Sequence, residues 1–522
     1  MTGSHPSLRH APSDLIGGRW IPIPGDGIVS INPARPAEVV WSATPRIDHV
    51  DLAVAAARAA APAWARFPLE RRAAVLRRFQ KIAVARVDDV TDLLRDEVGK
   101  PTWDAKAEAQ LLAAKVDITL DEGPDAALGR VRGFEATLTP TRTGRAWFRP
   151  HGVMAVLGPF NFPAHLPNGH IVPALAMGNT VVLKPSDKTP AAGQILAEMF
   201  DEALVAEGAP SGVLNLVQGG ADIAARLSAH ADIDGVLFTG SWAVGRRIMQ
   251  ANLDRPGRIL ALEMGGNNPA IILPDADLRQ AVIECVRCAF ITSGQRCTCT
   301  RRVIVHRAIA DRVVSAIVRG AAALTIGAPD ADPPVFMGPV ISRESRDAIL
   351  TAQDEMRRAG GEATLPMRAT DGPGGGWYVT PGVMRVERFV ETPAGAGALS
   401  HAGADVEVFG PLLRISVVDS LDEAITQANA TAFGLAASIF THDAAAIERF
   451  HHEAHAGCVN VNTGTAGASG KLPFGGLGLS GNHRPAGAFS IDYCAYPVAG
   501  MFERESAALV SPGMTVDEAW FA

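Results

Sequence analysis

Four short apolar runs lie between Val153 and Phe238, each bounded by turn or polar residues. They are Val153-Met154-Ala155-Val156-Leu157, Thr180-Val181-Val182-Leu183, Val213-Leu214-Asn215-Leu216-Val217 and Gly235-Val236-Leu237-Phe238. Runs this short that do not alternate with polar residues read as strands buried on both faces. Helical stretches such as Ala191 to Glu207 separate some of them, which predicts an α/β fold with a parallel sheet covered on both sides. Ligands of such sheets bind beyond the carboxyl ends of the strands. There the chain places Phe160-Asn161-Phe162-Pro163, Lys184-Pro185-Ser186-Asp187 and Thr239-Gly240-Ser241. A second alternation of the same kind runs from Ala270 to about Thr465.

With 522 residues, and roughly 150 per domain, the chain has room for two to four domains. Its 48 basic and 55 acidic residues give a net charge of −7, so no global footprint for nucleic acid or an anionic membrane is expected. Met1-Thr2-Gly3-Ser4-His5-Pro6 lacks the apolar core of a secretory signal, and no run approaches the ~20 apolar residues of a membrane span. The richest stretch, Ile171 to Leu183, is interrupted by Pro173, Gly178 and Asn179. Cysteines occur only at 285, 288, 297, 299, 458 and 494, too few for a disulfide scaffold, and a cytoplasmic protein is the expectation.

From Thr44 to Ile118 the pattern is mostly helical, with Ala-rich periodicity in Asp51 to Ala65 and in Glu70 to Val87. The basic residues Arg66, Arg71, Arg72, Arg77, Arg78 and Lys81 flank or oppose an apolar stripe of Val75, Phe79 and Ile82, as on a solvated outer face. Ala136 to Arg149 alternates like an exposed hairpin, and Ser490 to Met501 is a second extended candidate. Two such edges can pair with each other or with a second subunit. Gly372 to Gly376 reads as a loop.

The chemistry concentrates in Glu263-Met264-Gly265-Gly266-Asn267-Asn268 and Gly294-Gln295-Arg296-Cys297-Thr298, with Glu263 and Cys297 separated by 297 − 263 = 34 positions. A thiolate that attacks a carbonyl leaves a thioester, and a carboxylate that activates water clears it. The pair therefore points to aldehyde oxidation through a covalent intermediate, although Glu-x-Gly-Gly is also an ordinary turn after a strand. A free thiol has a pKa of about 8.5, so Cys297 needs activation, for which Arg296 and local backbone dipoles are the candidates. Cys299, two positions on, is a rival nucleophile, and an inert buried Cys297 is the bland alternative. Cys285, Cys288, Cys297 and Cys299 resemble zinc spacing, but the first two lie in the helical-looking Leu278 to Phe290, and no metal is expected.

With these motifs the chain resembles the NAD(P)-dependent aldehyde dehydrogenase superfamily from about Leu15 to Met501. The resemblance rests on Phe160-Asn161-Phe162-Pro163, Lys184-Pro185-Ser186, Phe238-Thr239-Gly240-Ser241 with Gly245, and Glu263 with Gly265 and Gly266. Gly294-Gln295-Arg296-Cys297, Glu407-Val408-Phe409-Gly410-Pro411 and Pro473-Phe474-Gly475-Gly476 follow in order. It implies Cys297 as nucleophile, Glu263 as general base and Asn161 as oxyanion donor together with the Cys297 N–H. It also implies an NAD site formed by Pro159, Phe160, Lys184, Ser186, Asp187, Gly240, Ser241, Gly245, Glu407 and Phe409. Lys184 would hold the adenosine ribose, Asp187 would favour a free 2′-hydroxyl and so NAD over NADP, and Glu407 would grip the nicotinamide ribose. Gly240 to Gly245 opens a helix after a strand, which suits a pyrophosphate.

A narrower likeness, to the branch acting on N-succinylglutamate 5-semialdehyde in arginine catabolism, rests on Phe162 to His170 and Gly265 to Pro269, and Gln295 to Cys299 agrees with it. Gly481 to Pro485 and Asp492 to Pro497 point the same way. Many members carry a lysine nine positions after the asparagine. This chain has His170 there, which puts any proton-shuttle role of that position in doubt. A substrate with several carboxylates needs cationic partners, for which Arg484 and His483, with Asn168 behind them, are the candidates.

The implied layout is an NAD-binding domain (15–132 and 152–262), a catalytic domain (263–465), an oligomerisation flap (133–151 and 486–501) and unassigned tails (1–14 and 502–522). The expected partners are a small aldehyde and a second copy of the chain, as a homodimer or homotetramer. The rivals are the same chemistry on another acidic or aromatic semialdehyde, and a catalytically silent nucleotide-binding protein.

Overall fold

The computed structural model describes residues 4–123, 126–392, 399–506 and 508–522. Parts of the leader (1–3), of the two large expected domains (124–125 and 393–398) and of the tail (507) therefore lie outside the described residues. The four apolar runs form the middle of a seven-stranded sheet. In spatial order it is Ile259–Glu263, Gly235–Thr239, Val153–Leu157, Thr180–Lys184, Leu214–Leu216, Ser13–Ile16 and Arg19–Pro22. The first five are parallel, and Ser13–Ile16 joins antiparallel through Leu15 opposite Leu216. Every residue of Val153–Leu157 and Thr180–Lys184 is buried, as uninterrupted apolar runs require. The strand order reverses on either side of Val153–Leu157, which opens a crevice at its carboxyl end. Register aligns Leu157 with Lys184, and Thr239 with Glu263, along that edge.

The second sheet runs Glu362–Leu365, Gly382–Arg385, Leu412–Val418, Thr300–His306, Asn268–Ile272, Ala436–Phe440 and Cys458–Val461. All its neighbours are parallel except the edge strand Glu362–Leu365. Glu263 ends the first sheet and Asn268 begins the second, so the chain crosses between them in the four residues Met264 to Asn267. The carboxyl edge of one sheet thereby faces the amino edge of the other.

Helices Asp48–Arg66, Leu69–Ala85, Val87–Val98 and Thr102–Leu120 occupy the segment read as helical. Val75, Phe79 and Ile82 are buried in the core shared with Pro190–Ala206. Arg77, Arg78 and Lys81 are exposed, as expected of an outer face. Phe134–Thr137 and Arg142–Arg149 form the hairpin, and Tyr496–Glu503 pairs antiparallel with the latter.

The extended reading of Ser490 to Met501 fails over its first half. Ala488–Cys494 is a 3₁₀ turn in which Ile491, Tyr493 and Cys494 are buried, and the strand begins only at Tyr496. Packing against the helices outweighs local alternation there. The strand also runs on to Glu503, into the segment read as tail. Pro373–Gly375 is a 3₁₀ turn within the expected loop.

Phe79 stacks on Phe200 with ring centroids 3.8 Å apart, joining the outer helices to the sheet-covering helix. Phe79→Ala is expected to lose about 3–5 kcal/mol of stability. Urea unfolding followed by far-ultraviolet circular dichroism measures it, and an unchanged midpoint would refute the anchoring role.

Candidate active site

A crevice of about 950 Å³ opens where the two sheets meet. The first sheet contributes Pro159, Phe160 and Asn161 after Leu157, Lys184, Ser186 and Asp187 after the neighbouring strand, and Gly240 and Ser241 after Thr239. Cys297, Glu407 and Phe409 enter from loops at the amino edge of the second sheet. Helix Trp242–Ala251 starts at the crevice, with Gly245 buried in its first turns, and no side chain caps its N-terminus. Its first backbone N–H groups therefore remain available to an anion. Gly265 passes so close to Glu407 that a Cβ there would lie 1.9 Å from Oε2.

Cys297 is half-buried and lines the crevice, whereas Cys299 is fully buried with its Sγ directed to the Ile291 carbonyl at 3.9 Å. Cys285 and Cys288 sit in helix Leu278–Phe290, and all six cysteines are free thiols. The backbone before Cys297 is strained. Thr292 and Ser293 have φ of 53° and 54°, and Gly294 follows at 74°, a run that L-residues other than glycine seldom adopt. Side chains hold the strain in place: Thr292 Oγ1 donates to Asp104 at 2.6 Å and Ser293 Oγ to Gly338 O at 2.7 Å. A Cβ on Gly294 would meet Gly410 O at 2.1 Å.

Burial pushes the Cys297 thiol up to about 12, and the negative charges of Glu407 and Glu263 push the same way. Arg301, not Arg296, is the cation that opposes them. This corrects the expected role of Arg296, whose guanidinium turns away to Asp104 Oδ1 at 2.6 Å and Thr292 Oγ1 at 2.8 Å. Glu263 is buried and held well above the usual carboxylate range by desolvation, which the nearby Ala486 backbone N–H only partly offsets. Its Oε2 has no partner among the described residues. Asn161 is buried and its Nδ2 donates to Gln295 O at 2.9 Å, two residues from Cys297. The Cys297 N–H meets no acceptor among the described residues.

On the cofactor side, burial lowers Lys184 to about 8 while Asp187 favours its charged form. Glu407 accepts from Gly266 N–H at 3.0 Å, and Phe409 meets Phe160 edge-on at 5.8 Å. Ser186 Oγ caps Lys188 N–H at 3.2 Å. The expected substrate residues differ in exposure. His483, at φ 61°, and Arg484 are exposed, and Arg484 donates to the His483 carbonyl. Asn168 is fully buried and donates to Leu112 O at 3.1 Å. His170 is buried between Tyr493 OH at 2.9 Å and Thr239 Oγ1 at 3.3 Å, and desolvation lowers it to about 3, so it is neutral.

Two residues that position the site were not singled out from the sequence. Arg301 donates to the carbonyls of Gly266, Gly294, Arg296 and Val408. Asn268 donates to Cys297 O at 2.8 Å and Cys299 O at 2.9 Å. An arginine pair opening the apolar run Val303 to Val305 was the available signal for the first.

The sequence matches the model of the Aldehyde dehydrogenase family over residues 20–497. It is 42% identical over 506 residues to N-succinylglutamate 5-semialdehyde dehydrogenase of Chromobacterium violaceum, covering 96% of this chain and 99% of that protein. Identity to N-succinylglutamate 5-semialdehyde dehydrogenase 2 of Caulobacter vibrioides is 45% over 488 residues, covering 93% and 95%. Among solved structures, 1-pyrroline-5-carboxylate dehydrogenase from Thermus with bound NAD superposes with a TM-score of 0.85 at 27% identity, covering 96% of this chain and 93% of that chain. Glyceraldehyde-3-phosphate dehydrogenase GapN from Methanocaldococcus jannaschii, complexed with NADP, gives 0.83 at 25% identity, covering 92% and 100%.

The raised thiol makes a pH prediction. An acid shifted upward yields its thiolate only at higher pH, so alkylation of Cys297 by iodoacetamide in cofactor-free protein should keep rising beyond the ~8.5 of a free thiol. Glu407→Gln removes a negative neighbour and should move that rise to lower pH. Mass spectrometry of the Cys297 peptide reads both, and a wild-type plateau near the free-thiol value would contradict them.

Proposed function

The chain belongs to the aldehyde dehydrogenase family, and on that premise we propose that it oxidises N-succinyl-L-glutamate 5-semialdehyde to N-succinyl-L-glutamate, with NAD as oxidant, in arginine catabolism. The observation that carries the reading is that Cys297 and Asn161 line one crevice, with Glu263 ending the strand at its margin and its charge acting on the Cys297 thiol. Relatives that share more than two fifths of their residues with this chain over nearly its whole length support the substrate. The crevice fits a dinucleotide: uncapped N–H groups for the pyrophosphate, Lys184 for a ribose, and Glu407 with Phe409 at the nicotinamide end. Asp187 beside Lys184 disfavours a 2′-phosphate by charge repulsion, which supports NAD over NADP.

The bound nicotinamide supplies the hydride acceptor. Cys297 gives up its proton to water and its sulfur adds to the aldehyde carbon, placing negative charge on the former carbonyl oxygen. Asn161 Nδ2 and the Cys297 N–H receive that charge, an arrangement in which one donor is worth about 10²–10³ in rate. Loss of hydride leaves an acyl group on sulfur. Glu263 then takes a proton from water as its oxygen attacks the thioester, and the carboxylate leaves as the thiol is restored. The aldehyde approaches along the open face of helix His165–Ala176, where Phe162, His165, Leu166 and Gly169 are only half-buried and a Cβ on Gly169 would touch nothing within 4 Å.

The domain layout proposed is 15–132 with 152–262 for NAD, 263–465 for catalysis, and 133–151 with 486–501 as an oligomerisation flap. The exposed Phe134, Tyr496, Met501 and Phe502 on that three-stranded sheet favour a homodimer or homotetramer. Among the described residues no helix is long and apolar enough to cross a membrane. With its free thiols the chain suits the cytoplasm.

Cys297→Ala should abolish NADH formation from the semialdehyde. Glu263→Gln should still form NADH in the first turnover and then stall, with steady turnover down by about 10²–10⁴. Stopped-flow absorbance at the NADH band distinguishes the two, and equal loss of both phases in Glu263→Gln would remove Glu263 from the hydrolytic step. Arg484→Ala should raise KM for the carboxylate-bearing aldehyde far more than for a neutral one of similar length. Parallel increases would rule Arg484 out as a substrate contact.

A further inference from the structure

Asn161 follows a strand of the first sheet and Cys297 precedes a strand of the second, so the register of neither sheet sets the spacing between oxyanion donor and thiol. A third element touches both. Helix Thr102–Leu120 turns a buried face to the site, and that face carries two carboxylates one helical turn apart, Asp104 and Glu108, each 1% exposed. Charges so placed must be paired and hydrogen-bonded. Asp104 accepts from Arg296 Nη2 on Oδ1 and from Thr292 Oγ1 on Oδ2, both at 2.6 Å, and Arg296 Nε donates to the same hydroxyl at 2.8 Å. It thus grips both ends of the strained turn that leads to Cys297. Glu108 Oε1 accepts from the Ala164 and His165 N–H groups, both at 3.1 Å, and its Oε2 from Lys100 Nζ at 2.5 Å. Those N–H groups open helix His165–Ala176, just after Asn161. Further along the same face, Lys115 Nζ donates to Ser490 Oγ at 2.8 Å.

The two grips close a circuit. Asn161 Nδ2 donates to Gln295 O at 2.9 Å, so the loop held by Glu108 meets the turn held by Asp104 directly. The ring of Phe162, next to Asn161, has Lys100 Nζ 3.6 Å and Arg296 Cζ 4.8 Å from its centroid. Each cation therefore serves one carboxylate, and both share one aromatic ring. The regular rise of the helix fixes the distance between Asp104 and Glu108, and through them the distance between the two loops. Neither carboxylate lines the crevice.

We propose that Asp104 and Glu108 are positioning residues, through which helix Thr102–Leu120 sets the Cys297 turn against the Asn161 loop. Lying outside the crevice, they act through Thr292, Arg296 and the backbone of Ala164 and His165. The inference rests on the reading of Cys297 as nucleophile and Asn161 as oxyanion donor. A displacement of about 1 Å between groups that must meet in the transition state costs about 10² in rate, which gives so distant a helix its leverage.

The test uses the full-length enzyme and two reagents that modify Cys297 without cofactor. 4-Nitrophenyl acetate is attacked at its carbonyl, so the rate of its nitrophenolate burst needs sulfur and oxyanion donor in register. Iodoacetamide loses iodide from a saturated carbon and needs the thiol alone. Thr292→Val removes the hydroxyl at nearly constant volume, and Lys100→Met with Glu108→Met removes the other grip without stranding a buried charge. Both should slow the burst by about 10–10² and leave alkylation unchanged. Thr292→Ser, and Lys100→Met with Glu108→Gln, keep the hydroxyl and the acceptor and should behave like wild type. In an Asn161→Ala background, itself slow in the burst, Thr292→Val should cost nothing further. A wild-type burst in either broken variant overturns the proposal, and so does a Thr292→Ser burst as slow as that of Thr292→Val. Alkylation that falls in step with the burst, or losses that simply add in the Asn161→Ala background, would make the network a packing feature and sink it equally. A burst untouched by Asn161→Ala alone would instead remove the oxyanion donor, and this inference with it.

Discussion

One buried guanidinium holds the site together. Arg301 is 2% exposed, and placing its charge out of water would cost several kcal/mol if it were isolated. It is instead surrounded by four backbone carbonyls from three loops: Gly266 from the crossing between the sheets, Gly294 and Arg296 from the turn before the nucleophile, and Val408 from the loop bearing Glu407 and Phe409. Of these carbonyls, Arg296 O and Val408 O also accept from the N–H groups of Cys299 and Gly410, whereas those of Gly266 and Gly294 have no other donor among the described residues. The charge and the loops satisfy each other, so the relative placement of thiol, crossing and nicotinamide-side residues follows from one side chain. Arg302 does the equivalent on the other face of the same strand, donating to Asn267 O and to carbonyls ending helix Leu421–Ala428.

The opposition of sheet edges explains the division of labour. The carboxyl edge of the first sheet offers helix N-termini and short loops, which suit phosphates. The amino edge of the second offers the backbone entering Thr300–His306 and Leu412–Val418, where a strained turn presents a thiol. Neither edge contains both the nucleotide-binding elements and the nucleophile. Asn161 bridges them, leaving the first sheet and bonding the backbone of the turn that belongs to the second.

Much of this was legible in the sequence because it is local. The doubly apolar runs became fully buried parallel strands, and the helix read over Leu278 to Phe290 has those bounds. What could not be read depends on contacts distant along the chain. Arg296 stands next to Cys297 in sequence, yet it bonds Asp104, 192 positions away, and the cation that opposes the burial of the thiol is Arg301. Ser490 to Cys494 alternates like a strand but is bent into a turn by burial of Ile491 and Tyr493 and by the hold of Lys115 on Ser490. Asn268 stood out only as part of a motif, and its work of gripping the carbonyls on both sides of Thr298 is visible only in three dimensions. The left-handed backbone of Thr292 and Ser293 has no signature in residue type, since neither side chain favours it.

The four-residue crossing from Glu263 to Asn268 also limits how this protein can change. Its two ends are fixed by strand register on one side and by the grip on the Cys297 carbonyl on the other. One inserted residue would leave no neutral place for the slack, because the segment has Glu407 against Gly265 and Cys297 O against Gly266. Turns at the periphery, such as that at Gly208, where a Cβ would meet nothing within 4 Å, face no such restriction. Lengthening or grafting is therefore tolerable at the rim of this molecule and forbidden at its middle, where a ruler of fixed span sets the distance between base and nucleophile.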